Sequence, residues 1–472
     1  MTDVPAVPTP DRGPAAAAGS EGLRPRLARH LPALARLAWP VMLSRAGILL
    51  MAFADIAMLG RYGVGAAGEA ALGLAIFVPV LVFTIGLATG AVPVIARAEG
   101  AGERRETGRA WRRAVMFAGL ASVIGAVVAF FTETWLALLG QSAGNAAGGG
   151  AVARMLAPGL MAQVLFAVSA FYLEATNRPL PALVVMAGAN LANVALNWVL
   201  IYGQLGLPEM GAPGAALATT IVRFGALAAM LAVILGQRDA RGSGVLDPQR
   251  SFWGPGGWAA GATMRRLGLS AAIAAGFETT GFGILNLFAG ELGRLPLDAY
   301  AIGHNLVATG FMVGLGLSVA TGVRVGQEIG RGRPHEAAFA GWCGMALGVV
   351  VMGAIAAVVL AARPTLAALY TDDPDLAAAV VALLAFSALV FVPDTLQVVA
   401  GQSVRALGDA WVAIGIYALA FAAVMIPLGY VMAFATPLAE RGLPVAIALS
   451  CTLAFALLAW RFRVLTGRAS ER

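Results

Sequence analysis

The sequence predicts an all-α polytopic membrane protein, with twelve transmembrane helices in two pseudo-symmetric six-helix bundles. Three observations support this fold class: an apolar composition, a series of span-length apolar runs, and an internal repeat. The chain of 472 residues is 59% hydrophobic and 12% charged, with a mean hydropathy of +0.81. Soluble domains carry about 25% charged residues, so the composition excludes a soluble globular protein.

The predicted helices follow one another along the chain with short polar connections. A transmembrane helix needs about 20 mostly apolar residues. The runs that meet this requirement lie at 33–58, 68–95, 114–138, 152–173, 182–203, 213–235, 267–291, 299–322, 340–362, 376–400, 411–434 and 443–460. The two cysteines, Cys343 and Cys451, fall inside these runs, which favours buried apolar packing over a disulfide framework.

Arginine positions predict the orientation of the chain. All 32 basic residues are arginine, and the net charge is +7. The connection 97–113 is rich in arginine, whereas the loops on the opposite side hold only Arg61, Arg294, Arg363 and Arg441. Basic loops stay on the cytoplasmic side of a membrane, so both termini are predicted to be cytoplasmic. The positive charge therefore indicates topology, and no nucleic-acid partner is expected.

An internal repeat appears when the chain is shifted by about 230 residues. Gly86-Leu87 then falls on Gly316-Leu317, and Arg36-Leu37 falls on Arg266-Leu267. An even number of helices per repeat predicts parallel copies related by an axis along the membrane normal. The predicted domains are a disordered cytoplasmic tail (1–30), an N-terminal lobe (31–235), a cytoplasmic linker (236–264), a C-terminal lobe (265–462) and a cytoplasmic tail (463–472).

Three carboxylates interrupt the apolar runs: Asp55, Glu278 and Asp394. A charge at the centre of a transmembrane helix costs about 2.5–3.5 kcal/mol on insertion scales, so these residues are candidates for coupling to protons or sodium. Apolar surroundings favour the protonated form of a carboxyl group, which allows it to load a proton at one face and release it at the other. The alternatives are an Asp55 that reaches the outer surface, and structural hydrogen bonds at Glu278 and Asp394.

Other polar residues inside the spans, Gln397 among them, are candidates for supporting or substrate-cavity roles. Asn193 and Asn197 lie one turn apart, and with Thr219 they are expected to form a polar nest around Asp55, although asparagines also join helices structurally. His304 invites a proton relay, but a local cap or hydrogen bond is favoured. For Arg45 and Arg223 the sequence leaves open pairing with acids, repulsion of cations, and snorkelling.

The order of several motifs resembles the multidrug and toxic compound extrusion (MATE) family, and its NorM-like branch in particular, over most of residues 35–465. The matching stretches are Ala54-Asp55-Ile56-Ala57-Met58-Leu59-Gly60, Val92-Pro93-Val94-Ile95-Ala96, Asn193-Val194-Ala195-Leu196-Asn197-Trp198, Gly214-Ala215-Ala216-Leu217-Ala218-Thr219, Phe277-Glu278-Thr279, His304-Asn305, Val323-Arg324-Val325-Gly326, and Asp394 with Gln397. No single stretch is specific; their order and spacing carry the resemblance.

The resemblance implies efflux of cationic or amphipathic organic compounds in exchange for protons or sodium. It assigns proton binding to Asp55 and cation coupling to Glu278 and Asp394, which as hard oxygen ligands are also candidates for Na⁺. Val390 replaces the aromatic hydroxyl that this branch carries four residues before Asp394, and this weakens the sodium assignment. The expected partners are organic cations and the lipid bilayer, without a cofactor, and the expected state is a monomer in the bacterial inner membrane.

Rival classes fit less well. A major-facilitator transporter would show an acidic and basic signature in the loop 97–113, which lacks it. A membrane prenyltransferase would need paired Asp-rich motifs, and the one candidate, 372–375, is single and faces outward by topology. No motif for enzymatic catalysis is evident, so the protein is predicted not to be an enzyme. A flippase for lipids or lipid-linked precursors, built on the same scaffold, stays open as the alternative.

Overall fold

The computed structural model describes residues 22–63, 65–237, 240, 242–246 and 258–470. The N-terminal lobe consists of α1 (Leu23–Tyr62), α2 (Ala66–Thr89), α3 (Ala91–Gly100), α4 (Arg104–Phe130), α5 (Thr132–Leu138), α6 (Ala143–Ala175), α7 (Leu180–Tyr202) and α8 (Gly211–Leu235). The small glycine and alanine side chains, frequent throughout, let these helices approach closely in lipid.

The C-terminal lobe repeats this order. Its elements are α9 (Ala262–Glu291), α10 (Arg294–Gly330), α11 (Pro334–Ala361), α12 (Arg363–Tyr370), α13 (Pro374–Ser387), α14 (Phe391–Ala406), α15 (Trp411–Tyr417), a π-helical segment (Ala418–Met425), α16 (Ile426–Phe434) and α17 (Gly442–Ser470). Under the shift of about 230 residues, α4 falls on α11, the short α5 falls on α12, and α8 falls on α17. The predicted all-α polytopic fold class is confirmed.

The number of spans agrees with the prediction once one broken helix is included. Among the described residues, eleven helical segments are long and apolar enough to cross a membrane. The twelfth is the pair α13 and α14, which bend by 43° at a short break. Pro393 lies in the first turn of α14. Backbone N–H groups there have no acceptor within the helix, so the missing N–H of proline costs no helical hydrogen bond.

The helices extend beyond the predicted apolar runs at several ends. The predicted disordered tail over 1–30 is wrong for residues 23–30, which form the first turns of α1. These turns are ordered because Arg26 and His30 contact α11, a contact that local composition does not reveal. Residues 1–21 lie outside the described residues. At the other terminus α17 continues through the predicted tail to Ser470.

Part of the predicted linker is fixed against the N-terminal lobe. The backbone N–H of Gly108 on α4 donates to the carbonyl oxygen of Ser243 over 3.1 Å. Val245 is buried, and a Cβ atom on Gly108 would collide with this segment. Residues 247–257 of the linker lie outside the described residues, and α9 begins at Ala262, slightly before the predicted end of the linker.

The two lobes contact each other at one end of the molecule, which we call the closed end. There the first halves of α1 and α9 meet the second halves of α10 and α2: Gly316 packs on Met42, and Gly86 packs on Ala272. Gln327 on α10 donates to the carbonyl oxygen of Ala175 on α6 over 3.0 Å. No interlobe hydrogen bond among the described residues lies towards the opposite end, which we call the open end.

Candidate functional site

Asp55 lies in a closed hydrogen-bond ring in the N-terminal lobe. Asn197 Nδ2 donates to Asp55 Oδ1 over 2.6 Å, and Thr219 Oγ1 donates to Asp55 Oδ2 over 3.0 Å. Asn193 closes the ring, since its Nδ2 donates to Thr219 Oγ1 and its Oδ1 accepts from Asn197, both over 3.2 Å. Both oxygens of Asp55 therefore accept hydrogen bonds from side chains of the ring.

The N-terminal ring is positioned by three helices that pack side by side. Asn193 and Asn197 are fully buried on one face of α7, one turn apart, and α1 and α8 pack against that helix. The end of α7 is held to the end of α1 because Tyr202 Oη donates to the carbonyl oxygen of Met58 over 2.9 Å. Gly203, with φ 66°, then ends α7 in the left-handed conformation that favours glycine.

A second polar cluster occupies the C-terminal lobe and contains both remaining carboxylates. Gln397 Nε2 donates to Glu278 Oε1 over 3.4 Å and to Asp394 Oδ1 over 3.3 Å. Cys451 Sγ also donates to Asp394 Oδ1, over 3.7 Å. Asp394 is 3% exposed, whereas Glu278 is only half-buried. Glu278 is therefore the more accessible of the two acids.

The break between α13 and α14 explains how a carboxylate is accommodated in the middle of a span. Asp394 lies in the first turn of α14, where the helix dipole is positive and favours a negative charge. Discontinuous helices place ion and substrate sites at such half-helix ends in transporters. Tyr417, next to the π-helical segment, donates its hydroxyl to the carbonyl oxygen of Gln397 over 3.3 Å, so an aromatic hydroxyl reaches this cluster although Val390 is apolar.

The remaining predicted candidate, His304, makes no hydrogen bond to the polar side chains of either cluster in the described part of the chain. It is within α10 rather than at its start, because the helix begins at Arg294 after Gly293. Its ring stacks on Tyr300 at a centroid distance of 5.9 Å and an angle of 15°, and it contacts Phe282 at 5.3 Å. In the part of the chain that is described, no hydrogen bond joins His304 to an acid, so the favoured local cap is replaced by aromatic packing.

The two intramembrane arginines have different surroundings. Arg45 forms a buried ion pair, with Nη2 3.1 Å from Glu174 Oε1. Arg223 lies on α8 one turn beyond Thr219, over the ring of Phe77 at 5.2 Å. Nε and Nη1 of Arg223 are buried without a hydrogen-bond acceptor. One of the alternatives left open, pairing with an acid, thus applies to Arg45.

Sequence reasoning missed Glu174 and Cys451. Glu174 is fully buried near the end of α6, one residue beyond the predicted span 152–173, and its signal was an acid directly after an apolar run. Cys451 was interpreted only as an apolar residue, and nothing in the sequence places it beside Asp394. Among the described residues, no group of three or more His, Cys, Asp or Glu side chains is arranged to bind a metal ion.

Comparison with known proteins places this architecture in a family. The MatE family model matches residues 40–199 and 271–431, which together make up more than half of the chain and correspond to the two repeats. The chain belongs to the MatE family. The predicted resemblance is confirmed, and with it the prediction that the protein is a transporter rather than an enzyme.

Relatives in bacteria match the MatE chain over nearly its full length. The probable multidrug resistance protein NorM of Caulobacter vibrioides is 34% identical over 452 residues, which cover 94% of each chain. The multidrug resistance protein PmpM of Pseudomonas aeruginosa is 31% identical over 433 residues, covering 90% of this chain and 89% of PmpM. Neither relative is named as a flippase.

Solved structures of MATE transporters share the fold. The eukaryotic transporter AtDTX14 superposes with a TM-score of 0.82 at 20% identity, covering 94% of this chain and 100% of AtDTX14. An outward-facing multidrug resistance MATE transporter of the MOP superfamily superposes with a TM-score of 0.82 at 18% identity, covering 93% of this chain and 96% of its own. At these identities the likeness concerns the fold alone.

Proposed function

We propose that this MatE protein is a secondary active antiporter that exports cationic or amphipathic organic compounds in exchange for protons or sodium. The observation that carries the proposal is the presence of a hydrogen-bonded carboxylate cluster in each lobe, on helices α1 and α9 that continue from the closed end. Buried acids of this kind mark ion and substrate pathways in membrane proteins. The names of the bacterial relatives, multidrug resistance proteins, support the export of drugs.

The proposed mechanism is alternating access between the lobes. In the arrangement described, the lobes contact each other at the closed end, and the opposite transition would open that end. Asp55, Glu278 and Asp394 bind either the coupling ion or a cationic cargo, because one carboxylate does not neutralise both at once. Ion binding then shifts the equilibrium through its different affinity for the two states. One charge that crosses 100 mV supplies about 2.3 kcal/mol.

The orientation and assembly belong to the same proposal. The protein is placed in the bacterial inner membrane as a monomer, with both termini and the arginine-rich residues 97–113 in the cytoplasm, as the positive-inside rule favours. The closed end, which carries these residues, then faces the cytoplasm.

The predicted lobe boundaries, 31–235 and 265–462, stay predictions. The coupling ion is H⁺ or Na⁺, with Glu278 and Asp394 as the proposed Na⁺ ligands, and the flippase alternative is not proposed.

Flux measurements in proteoliposomes test the proposal. Purified protein is reconstituted, and transport of the cationic dye ethidium is measured under an imposed proton gradient without sodium, and under an imposed sodium gradient at equal pH. We expect one gradient to drive transport. We expect Asp55→Asn, Glu278→Gln and Asp394→Asn each to reduce the rate about tenfold or more, which corresponds to about 1.4 kcal/mol or more.

Asp372→Asn serves as the matched control, because Asp372 is an exposed acid at a helix connection away from both clusters. It is expected to transport at the rate of the unmodified protein. Wild-type rates in all three acid-to-amide variants would remove the coupling role of the acids. Absence of transport under both gradients by the unmodified protein would overturn the proposed function itself.

A further inference from the structure

The side chain of Gln397 occupies the position between the two acids of the C-terminal lobe. Its Nε2 atom lies within hydrogen-bond distance of one oxygen of each acid, 3.4 Å from Glu278 and 3.3 Å from Asp394. A primary amide nitrogen carries two hydrogens, so it donates one to each acid. The partial positive charge of these hydrogens thus lies where a cation bound by both acids would lie.

The other end of the same amide is left without a partner. Gln397 Oε1 is buried and accepts no hydrogen bond in the described structure. A buried acceptor without a donor costs free energy, and natural structures contain few such groups. Gln397 is fully buried, so bulk water does not satisfy this oxygen. In the present orientation the amide nitrogen therefore donates to both acids, while the amide oxygen has no donor.

Rotation of the amide about its last side-chain bond exchanges the nitrogen and the oxygen. That bond has a broad, roughly two-fold torsional preference, so both orientations are accessible without a new rotamer. In the second orientation Oε1 points between Glu278 and Asp394. Three oxygen atoms, one from each side chain, then face one point. Oxygen atoms are the ligands that a hard cation such as Na⁺ prefers, and the same three atoms are able to share a proton.

The N-terminal lobe contains a similar arrangement on unrelated positions. Asn197 Nδ2 donates to Asp55, while Asn197 Oδ1 is buried without a donor. Under the shift of about 230 residues, Gln397 falls on Ala167 and Asn197 falls on Pro427. The arrangement is therefore not a remnant of the repeat. Each lobe thus contains an amide beside a carboxylate, with its nitrogen towards the acid and its oxygen unpaired.

From this geometry we infer that Gln397 is a further ligand for the coupling ion in the C-terminal lobe. Its amide has two orientations. The nitrogen faces Glu278 and Asp394 when no ion is bound, and the oxygen faces them and acts as a ligand when the ion is bound. The inference rests on the proposed function, because it assumes that these acids bind the coupling ion. It adds that Gln397, which carries no charge, controls binding and release.

Two variants separate the donor role of the amide from its acceptor role. Gln397→Met has a similar length but neither donor nor acceptor, and it is expected to weaken binding of the coupling ion about tenfold or more, because a ligand to a charged group is lost. Gln397→Glu keeps the acceptor oxygens. It is expected to bind the ion at least as tightly as the unmodified protein, but to transport ethidium more slowly, because release is hindered.

The test measures ion binding directly, besides transport. Binding of ²²Na⁺ and uptake of protons after a pH jump are measured on the purified full-length protein, and ethidium flux is measured in proteoliposomes. Gln163→Met is the matched control, since Gln163 is a buried glutamine on α6 outside the C-terminal cluster. A structural role for Gln397 would lower binding and flux together in both variants, whereas the inference requires weaker binding in Gln397→Met and undiminished binding in Gln397→Glu.

Several outcomes would overturn the inference. Wild-type ion binding in Gln397→Met, or weakened binding in Gln397→Glu, would each do so while leaving the proposed function intact. Absence of ion-driven flux in the unmodified protein would instead overturn the proposed function. If Gln397→Met does not fold, infrared difference spectra of ¹³C-glutamine-labelled protein, with Gln397→Glu as the subtraction standard, decide the question. An amide carbonyl band at this residue that is unchanged by the ion contradicts the inference.

Discussion

The buried pair of Arg45 and Glu174 shows how a charge is accommodated in a span at the level of single residues. The side chains are 7% and 1% exposed, and Nη2 of Arg45 lies 3.1 Å and 3.2 Å from the two oxygens of Glu174. The guanidinium also lies over the ring of Phe171 at 5.1 Å. Burial strengthens the attraction of such a pair but also makes each charge costly if its partner is lost.

We predict that loss of Glu174 destabilises the protein more than loss of the whole pair. Glu174→Gln leaves the Arg45 charge buried and unpaired, which costs about 3–5 kcal/mol, and thermal unfolding in detergent should show a lower midpoint. The double variant Arg45→Met/Glu174→Gln should recover most of that loss.

The exposed pair of Arg154 and Glu133 provides the control for this prediction. Its atoms are 2.8 Å apart, and its side chains are 41% and 43% exposed, so Glu133→Gln should change stability by less than about 1 kcal/mol. A double variant at Arg45 and Glu174 that is no more stable than Glu174→Gln would contradict the prediction.

At the level of elements, the lobes approach each other through glycines on α2, α9 and α10. A Cβ atom on Gly268 of α9 would collide with the backbone carbonyl of Leu87 on α2, and one on Gly316 of α10 would collide with Met42 of α1. A backbone atom has no alternative rotamer. These positions therefore set how closely the lobes approach at the closed end.

We predict that Gly268→Ala shifts the protein away from the closed-end contact. Overpacking costs about 1–3 kcal/mol, which corresponds to a change of about five- to 150-fold in the equilibrium between the described state and the state opened at this end. Spin labels at Arg61 and Arg294, both near the open end, should report shorter distances between the lobes in this variant.

Gly283→Ala on the same helix is the matched control, because no atom outside its chain neighbours and its own helix backbone lies within 4 Å of the position of its Cβ. Its distance distribution should equal that of the labelled parent protein. An unchanged distribution in Gly268→Ala, with the protein correctly folded, would show that this glycine does not limit the approach of the lobes.

At the level of the whole molecule, a charged cluster links the first turns of α1 to the C-terminal lobe. Glu336 on α11 forms an ion pair with Arg26, with Oε1 3.0 Å from Nε, and its Oε2 lies 2.8 Å from His30 Nε2. Arg324 on α10 extends the cluster to Glu328. Glu336 and His30 are buried in this contact, so opening of the closed end would separate them.

We predict that Glu336→Gln favours opening of the closed end. The substitution removes the carboxylate that Arg26 and His30 both contact, which leaves the Arg26 charge without its partner. We expect the equilibrium between the closed and the opened state of this end to shift about tenfold, or about 1.4 kcal/mol. Hydrogen exchange followed by mass spectrometry should show faster exchange in the first half of α1 and the last half of α10.

The matched control is Glu106→Gln, because Glu106 pairs with Arg113 on the same helix and joins no lobes. Exchange at the closed end should be unaffected in that variant. If Glu336→Gln exchanges at the parental rate, the cluster does not contribute to closure.

Most of the fold could be predicted because its determinants are local. Span number and helix order depend on apolar length and arginine positions within single segments, and the repeat is found by comparing segments of the linear sequence. The ring of Asn193, Asn197 and Thr219 around Asp55 was also predicted, since one-turn spacing places two asparagines on one face. The helical first turns of α1 were not, because they depend on a contact with Glu336.

The sequence by itself determined that this chain crosses a membrane in two repeated halves, that three acids lie within the spans, and which family it resembles. Those properties follow from the side-chain chemistry of successive segments and from their order along the chain. Only the tertiary structure decided which groups those acids contact, that Glu174 pairs with Arg45, that Cys451 joins Asp394, and which end of the molecule is closed. Those properties depend on helices far apart in sequence, and packing alone brings their side chains within hydrogen-bond distance.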